Sequence, residues 1–411
     1  MDWTAGAPVD TLPLTHQGQP ELALALMLMK LPPELHSSVI SNVHRQKDLK
    51  SLALTCHALR EDAQRGLFNS PSIQMHLEHH KSRLPFLESV ISSPDRLALM
   101  VRRITIHVYV CRALGRLRAR AGQHGENEDN EGNSLIRWIG EAGEKLRKAI
   151  QLMHGTTHLQ FFYDDDDPQL HPTWLMSLLE TCKFRLKVLV WQVDATDIKL
   201  MIAKSLVQQR DLRVLRLNSL QPCEHDSEPA SLLLRFCPNL QSLSAPWSFI
   251  RTILQHSRTI RYVGCADDLL GSWAFPTVIE PEFPHVKYLW TQLSFKNQGF
   301  YISSFNNLIL LQIDHLNEED FAPITGLPLL EILIITCRPE GNLTTISRRL
   351  LTQSKSLTKI YFELTKGWHV SCACYTYERA SDEIQVRTIR VEDTWIWHAA
   401  EGLDFDSLMN M

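Results

Sequence analysis

No stretch of 18 apolar residues occurs in the chain, so the sequence offers no membrane-spanning helix. An excess of charge of one sign is missing too. Lys and Arg number 42 against 46 Asp and Glu, a net charge of -4 that gives no global field to draw in nucleic acid or an anionic bilayer. Neither is expected as a partner. The longest apolar run near the start, Leu22 to Met29, follows Asp2, Asp10 and Glu21 without one Lys or Arg, unlike a secretory leader. Complete pairing of cysteine is excluded as well, because there are nine, an odd number. In a reducing compartment such residues are small buried hydrophobes, so an intracellular location, cytoplasm or nucleus, is expected.

Catalytic signatures are also absent. There is no Gly-x-x-x-x-Gly-Lys-Ser/Thr, Gly-x-Gly-x-x-Gly, His-Glu-x-x-His or Gly-x-Ser-x-Gly, so phosphate cradles and nucleophile elbows are unsupported. Four consecutive acids, Asp164 to Asp167, supply hard oxygen ligands but end a predicted strand before Pro168, where Asp also serves turns. His369, Cys372 and Cys374 form a compact metal-like cluster without a Cys-x-x-Cys pair, and His76, His79 and His80 read as a polar helix face. The expectation is therefore no enzyme, no metal and no cofactor.

What is present is an ordinary folding composition: 411 residues, 44% hydrophobic and 21% charged, enough for two or three domains or one long repeat array. Residues 1–20 have no helical or strand period and read as a mobile tail, whereas Glu21 to Lys30 favours helix. Pro33 suits a first helical turn, and Leu35, Val39, Ile40 and Val43 recur at helical spacing. Asp48 can cap a second helix with Leu49, Leu52 and Ala53, and a third carries Leu59, Ala63 and Leu67. Three short helices make a small core, so a partner surface is expected.

The run Leu31-Pro32-Pro33-Glu34-Leu35, the Val39-Ile40 pair, Asp48-Leu49 with Leu52, and Thr55-Cys56-His57-Ala58-Leu59-Arg60 resembles an F-box of the variety common in filamentous fungi. Many F-boxes carry Trp where Leu59 stands. The resemblance implies that residues 21–70 dock on a Skp-family adaptor through Leu31, Pro32, Pro33, Glu34, Leu35, Ile40, Leu49, Leu52 and Leu59. Through that adaptor they would join a cullin ubiquitin ligase, and the rest of the chain would select an unidentified protein substrate. A linker of helices is expected over 71–100.

From residue 101 to about 400 an apolar-x-x-apolar-x-apolar pattern recurs, as at Val101/Ile104/Ile106, Leu186/Leu189/Trp191, Leu212/Leu215/Leu217, Leu308/Leu311/Ile313, Leu330/Leu333/Ile335 and Leu357/Ile360/Phe362. Further copies begin at Val286 and Val386, with weaker ones at Leu159, Leu240 and Ile260. From Leu159 on, the starts lie 20 to 29 residues apart. That period resembles a leucine-rich repeat array, and helical stretches such as Ala195 to Gln209, Glu228 to Phe236 and Leu343 to Gln353 make each unit a strand and a helix. The usual turn Asn or Cys is missing, its place taken by residues such as Asp194, Ser248 and Leu316. The fold class is thus α/β: a short all-α module, then an irregular repeat solenoid. Residues 111–134, with four Arg, four acids and four Gly, read as a mobile insertion.

In such arrays the strands line a concave face, on which the second, fourth and sixth residues after each start point away from the core. Those positions include six aromatics, Phe161, Tyr163, Tyr262, Tyr288, Trp290 and Tyr361. Exposed Tyr and Trp anchor protein interfaces. With Gln292 they are the expected substrate-binding set, centred on Tyr262, Tyr288 and Trp290.

Overall fold

The computed structural model describes residues 32–41, 43, 46–55, 59–76, 84–110, 129–165, 179–180, 182–192, 201–217, 228–265, 282–291, 302–317, 320–336, 342–366, 369–378 and 383–390. The expected tail, the Glu21 to Lys30 helix, Leu31, Gln292 and residues 111–128 of the expected insertion lie outside them. The chain divides into two compact units, residues 1–71 and 72–411.

Among its described residues the first unit holds three helices, α1 (Pro33–Ser41), α2 (Gln46–Thr55) and α3 (Arg60–Asn69). Their apolar stripes converge. Ile40, Leu49, Leu52, Ala53, Leu59 and Ala63 form one core, none more than 7% exposed, with Val39, Val43 and Leu67 packed against it. Gly66 lets α3 approach α2, since a Cβ there would lie 3.3 Å from both methyls of Leu49. Arg60 Nε donates to Ala53 O at 3.2 Å, tying the start of α3 to α2.

The second unit is α/β and built on one sheet of 13 strands in chain order. These are β1 (Ser72–His76), β2 (Arg103–Val110), β3 (His158–Asp165), β4 (Val188–Gln192), β5 (Val214–Leu217), β6 (Ser242–Ala245) and β7 (Tyr262–Cys265). Then come β8 (Tyr288–Thr291), β9 (Leu310–Ile313), β10 (Ile332–Ile335), β11 (Lys359–Lys366), β12 (His369–Glu378) and β13 (Glu383–Arg390). β1 to β11 pair in parallel with their neighbours, whereas β11, β12 and β13 pair antiparallel. Crossovers include α4 (Pro85–Ser92), α5 (Asp129–Leu152), α6 (Glu228–Phe236), α7 (Trp247–His256) and α8 (Leu343–Gln353). Asn342 caps α8, its Oδ1 accepting from Thr344 N at 2.9 Å.

Register explains the repeat. Ile104, Leu159, Leu189, Leu215, Leu243, Val263, Leu289, Leu311, Leu333 and Ile360 stand side by side, none more than 3% exposed. Three residues before most of them, Val101, Leu186, Leu212, Leu240, Ile260, Val286, Leu308, Leu330 and Leu357 are each 0% exposed. Fully burying one such side chain contributes at most about 1.5–3 kcal/mol against a compact unfolded chain, so stacking the rows is the main force joining the units.

At the turn before each strand from β3 to β11 one carbonyl accepts from two successive amides of the next unit. Thus Arg213 N and Val214 N both reach Lys187 O, and Lys287 N and Tyr288 N both reach Arg261 O. The residue just before the start position often adds a side-chain link to the previous unit. Asn239 Nδ2 donates to Arg210 O at 3.1 Å, Thr259 Oγ1 to Leu240 O at 2.9 Å, Asn307 Nδ2 to Pro284 O at 2.8 Å and Ser356 Oγ to Leu327 O at 3.1 Å. This ladder at the N-terminal turn serves the purpose of the missing Asn or Cys.

Three expectations are corrected here. The sheet begins at Ser72, inside the span read as linker helices, because alternation in Ser72–His76 buries Ile73 and Met75. Residues 129–134 of the expected insertion belong to α5. The expected Ala195 to Gln209 helix is helical where it is described, α-helical at Met201 and π-helical over Ile202–Leu206. The copy at Val386 is no parallel unit: only two residues join β11 to β12, too few for a crossover, and Val386 is 53% exposed in the antiparallel end. Among the described residues no helix is long and apolar enough to cross a membrane.

Candidate functional site: the open face of the sheet

Alternation along each strand turns every second residue away from the buried rows. On this open face, one row runs through Val188, Val214, Ser242, Tyr262, Tyr288, Leu310 and Ile332. A second runs through Val190, Arg216, Ser244, Gly264, Trp290, Gln312, Ile334 and Tyr361. The face is thus more apolar than a solvated sheet surface, and its apolar residues gather in two clusters.

In one cluster, Val188, Val190 and Val214 are buried by one another, with Phe162 packed on them. Phe162 in turn stacks on His107, ring centroids 4.6 Å apart and planes 8° apart. Burial there holds the His107 imidazole below its ordinary pKa. The other cluster has Leu310 and Ile334 at its centre, with Tyr262, Tyr288, Ile332 and Tyr361 half-buried around them. Tyr262 and Tyr288, direct partners across β7 and β8, stack at 4.5 Å and 10°.

Between the clusters the second row carries small residues on β6 and β7. Gly264 matters here because Trp290 lies against it: a Cβ would sit 2.8 Å from Ser244 Oγ, 2.9 Å from Ser244 Cβ and 3.0 Å from Trp290 Cε3. From the far side of this gap Arg216 extends its guanidinium over the indole, 5.2 Å from the ring centroid. Ser244 is 9% exposed, and its Oγ is buried without a hydrogen-bond partner.

Of the expected substrate-binding set, the structure brings Tyr262, Tyr288, Trp290 and Tyr361 onto this face. Phe161 is a correction. It is 1% exposed and stacks on Trp191 at 5.1 Å in the buried interior. Leu159 pairs with Ile104 and Leu189, which makes it the fourth residue of its unit rather than the first. The true start is Thr156, 1% exposed, a polar residue that an apolar template passes over. A three-residue shift reverses the faces of a strand, so Phe161 and Tyr163 exchange sides with Gln160 and Phe162. Arg216, Ser244 and Gly264 also stand four residues after the starts Leu212, Leu240 and Ile260, at open-face positions, but no aromatic ring marks them in the sequence.

In the helical unit, Ile40, Leu49, Leu52 and Leu59 do not offer side chains to a partner; they form the core joining α1, α2 and α3. Leu59 is 0% exposed, which assigns it to packing. Pro32 is exposed, and Leu35 and Leu54 stand out at 48% and 71%. Pro33 and Glu34 open α1.

Among the described residues no group of three or more His, Cys, Asp or Glu is placed to hold a metal ion. Cys374 is buried beside Tyr361, and desolvation raises its thiol pKa while the Tyr361 hydrogen bond works the other way. An open cleft of about 490 Å³ lies elsewhere, at the turns before β4 and β5, lined by Lys183, Phe184, Arg185, Val207, Gln208 and Arg210.

Neither a protein-family model nor a curated protein sequence matches the chain. Among solved structures it is similar to the leucine-rich repeat-containing protein LegL7 from Legionella pneumophila, at 12% identity and a TM-score of 0.36 over 71% of this chain and 90% of that one. It is also similar to the Rad7 and Elc1 complex in yeast, at 12% identity and a TM-score of 0.29 over 83% of this chain and 88% of that one. At these TM-scores neither likeness carries an argument, and the repeat architecture rests on the chain's own register and buried rows.

Proposed function

We propose that this chain is a non-catalytic substrate-recognition adaptor of a Skp-cullin-F-box ubiquitin ligase. Residues 21–70 act as the F-box that binds a Skp-family adaptor, and the open face of the sheet binds the protein to be modified. The observation that carries the recognition half is the cluster of half-buried Tyr262, Tyr288 and Tyr361, with half-buried Trp290 on the same face, a kind of surface that a protein partner covers. The adaptor half is supported by the Leu31 to Leu35 motif and by the exposure of Pro32 and Leu35.

Affinity purification followed by mass spectrometry tests both halves at once. Leu31→Ala with Pro32→Ala abolishes co-purification of the Skp-family adaptor and leaves the bound target protein in place. Trp290→Ala does the reverse, costing about 2 kcal/mol or roughly thirtyfold in target affinity. Undiminished adaptor recovery from the double mutant removes the F-box assignment. Failure of the wild-type chain to bring down any Skp-family adaptor favours instead a repeat scaffold without a ligase.

A further inference from the structure

We infer that the edge of the sheet at which its parallel strands begin binds an acidic protein segment, held by cations that follow the start positions of β2 to β8. This surface is distinct from the open face. The inference depends neither on the reading of that face nor on the ligase assignment.

The residue just after each start position stands in a row of its own, because its carbonyl accepts the paired amides of the next unit. From β2 to β8 the row reads Arg102, Thr157, Lys187, Arg213, Gln241, Arg261 and Lys287. Most are cations and none is a carboxylate. Since the whole chain carries more acid than base, this is a local segregation of charge, and beyond β8 the row turns to Ile309, Glu331 and Thr358.

Arg102, Lys187, Arg213 and Arg261 are exposed and Lys287 is half-buried. Arg102 donates to Gly155 O at 3.2 Å, whereas among the described residues the other four form no ion pair. Lys187 stands beside Arg213, and Arg261 beside Lys287, one strand spacing apart, where like charges repel. Mixed signs would serve solubility better. A row that keeps this repulsion with no carboxylate in it is complementary to an anion from outside.

Two features favour a polypeptide over a nucleic acid. The cleft of about 490 Å³ before β4 and β5 adjoins the row, and its Lys183 and Arg210 have no carboxylate partner among the described residues, while Arg185 pairs with Asp211 at 3.7 Å. An acidic side chain can enter such a cleft, with Val207 beside it for an apolar stem; a duplex or a bilayer presents phosphates and fills no cleft. Single-stranded nucleic acid needs rings to stack on, yet Phe184 and Phe283 in these turns are no more than 3% exposed. Spacing agrees. The Lys187–Arg213 and Arg261–Lys287 pairs lie three strand spacings apart, about 14 Å, and carboxylates four residues apart on one side of an extended segment lie about 13 Å apart.

The test titrates the full-length chain with a fluorescent peptide of about ten residues carrying Glu pairs four residues apart. Its Gln and Lys counterparts, a short DNA duplex and vesicles of phosphatidylserine and phosphatidylcholine in equal parts are the comparisons. At low salt the Glu peptide is expected to bind about tenfold or more tightly than the Gln peptide, and more tightly than duplex or vesicles. Lys187→Gln with Arg213→Gln weakens it about tenfold with an unchanged melting curve, whereas Arg348→Gln with Lys355→Gln, an exposed pair near β11, changes it less than about twofold. Trp290→Ala leaves it unchanged. Equal binding of Glu and Gln, equal losses from the two double variants, tighter binding of duplex or vesicles, loss on Trp290→Ala, or no peptide binding each overturns the inference. If the Lys187 and Arg213 variant does not fold, the wild-type chain decides: carbodiimide couples the bound Glu peptide to Lys183 and Lys187, and coupling only to other lysines overturns the inference.

Discussion

Gly264 shows how much of the open face depends on an absent side chain. Ser244 can rotate its hydroxyl away from an added methyl, but its Cβ, 2.9 Å from that methyl, moves only with the backbone of β6. Gly264→Ala therefore pushes β6 and the Trp290 ring apart. We expect a loss of about 1–3 kcal/mol, read from the midpoint of urea unfolding, together with a changed near-ultraviolet Trp signal. A variant of wild-type stability with an unchanged signal would show that the contact yields without cost. The contrast with Phe161 is instructive at the same scale. Counting from Leu159 places Phe161 on the open face, whereas the structure buries it, because Thr156 breaks the apolar template at the head of its unit.

Among elements, the turns before the strands join each unit to the one before it. Asn239 and Asn307 occupy the same place in units three strands apart, and each spans to the carbonyl of an earlier turn, at 3.1 and 2.8 Å. Replacing either by Ala is expected to cost about 0.5–1 kcal/mol, as for a partly solvated hydrogen bond. The two losses should add in the double variant, since sites this far apart share no partners. Chemical denaturation of the three variants measures this, and a double variant no weaker than either single one would mean that the ladder does not join the units. A side-chain ladder of mixed Asn, Thr and Ser was not legible as a motif, because hydroxyl and amide can each reach one carbonyl and no single residue type recurs. Where the array ends was hidden for another reason. Val386, Ile389 and Val391 have the repeat spacing, but spacing says nothing of strand direction, which the two-residue link before β12 decides.

At the scale of the whole molecule, the buried thiols report on the integrity of the array. Cys182, Cys237, Cys265 and Cys374 are buried and form no disulfide, and they are spread from the turn before β4 to β12. Desolvation pushes the Cys182 and Cys237 thiols up to about 12, so almost no thiolate exists near neutral pH. We expect these four to resist alkylation by iodoacetamide in the native chain at about pH 7.5 and to react once it is unfolded in urea. Peptide mass spectrometry identifies each site, and rapid native labelling of Cys182 or Cys237 would show that the array opens there. This behaviour suits the reading of the cysteines as small core residues.

The sequence by itself determined the buried rows, since a Leu or Ile every few residues at a period of 20 to 29 can be satisfied only by stacking units edge to edge. It also determined the helix from Leu343 to Gln353, whose cap and apolar spacing are local properties. The core of the helical unit was equally legible as a set of residues, though not its role. Whether Ile40, Leu49, Leu52 and Leu59 face a partner or each other depends on how three helices cross, and no helical period encodes that. Tertiary structure alone decided the open face. Tyr262 and Tyr288 become a stack, and Arg216 comes to lie over Trp290, through lateral pairing of strands that are distant along the chain. The physical reason is that burial of the leucine rows fixes the register, and the register then brings side chains on the opposite face together whatever their own preferences.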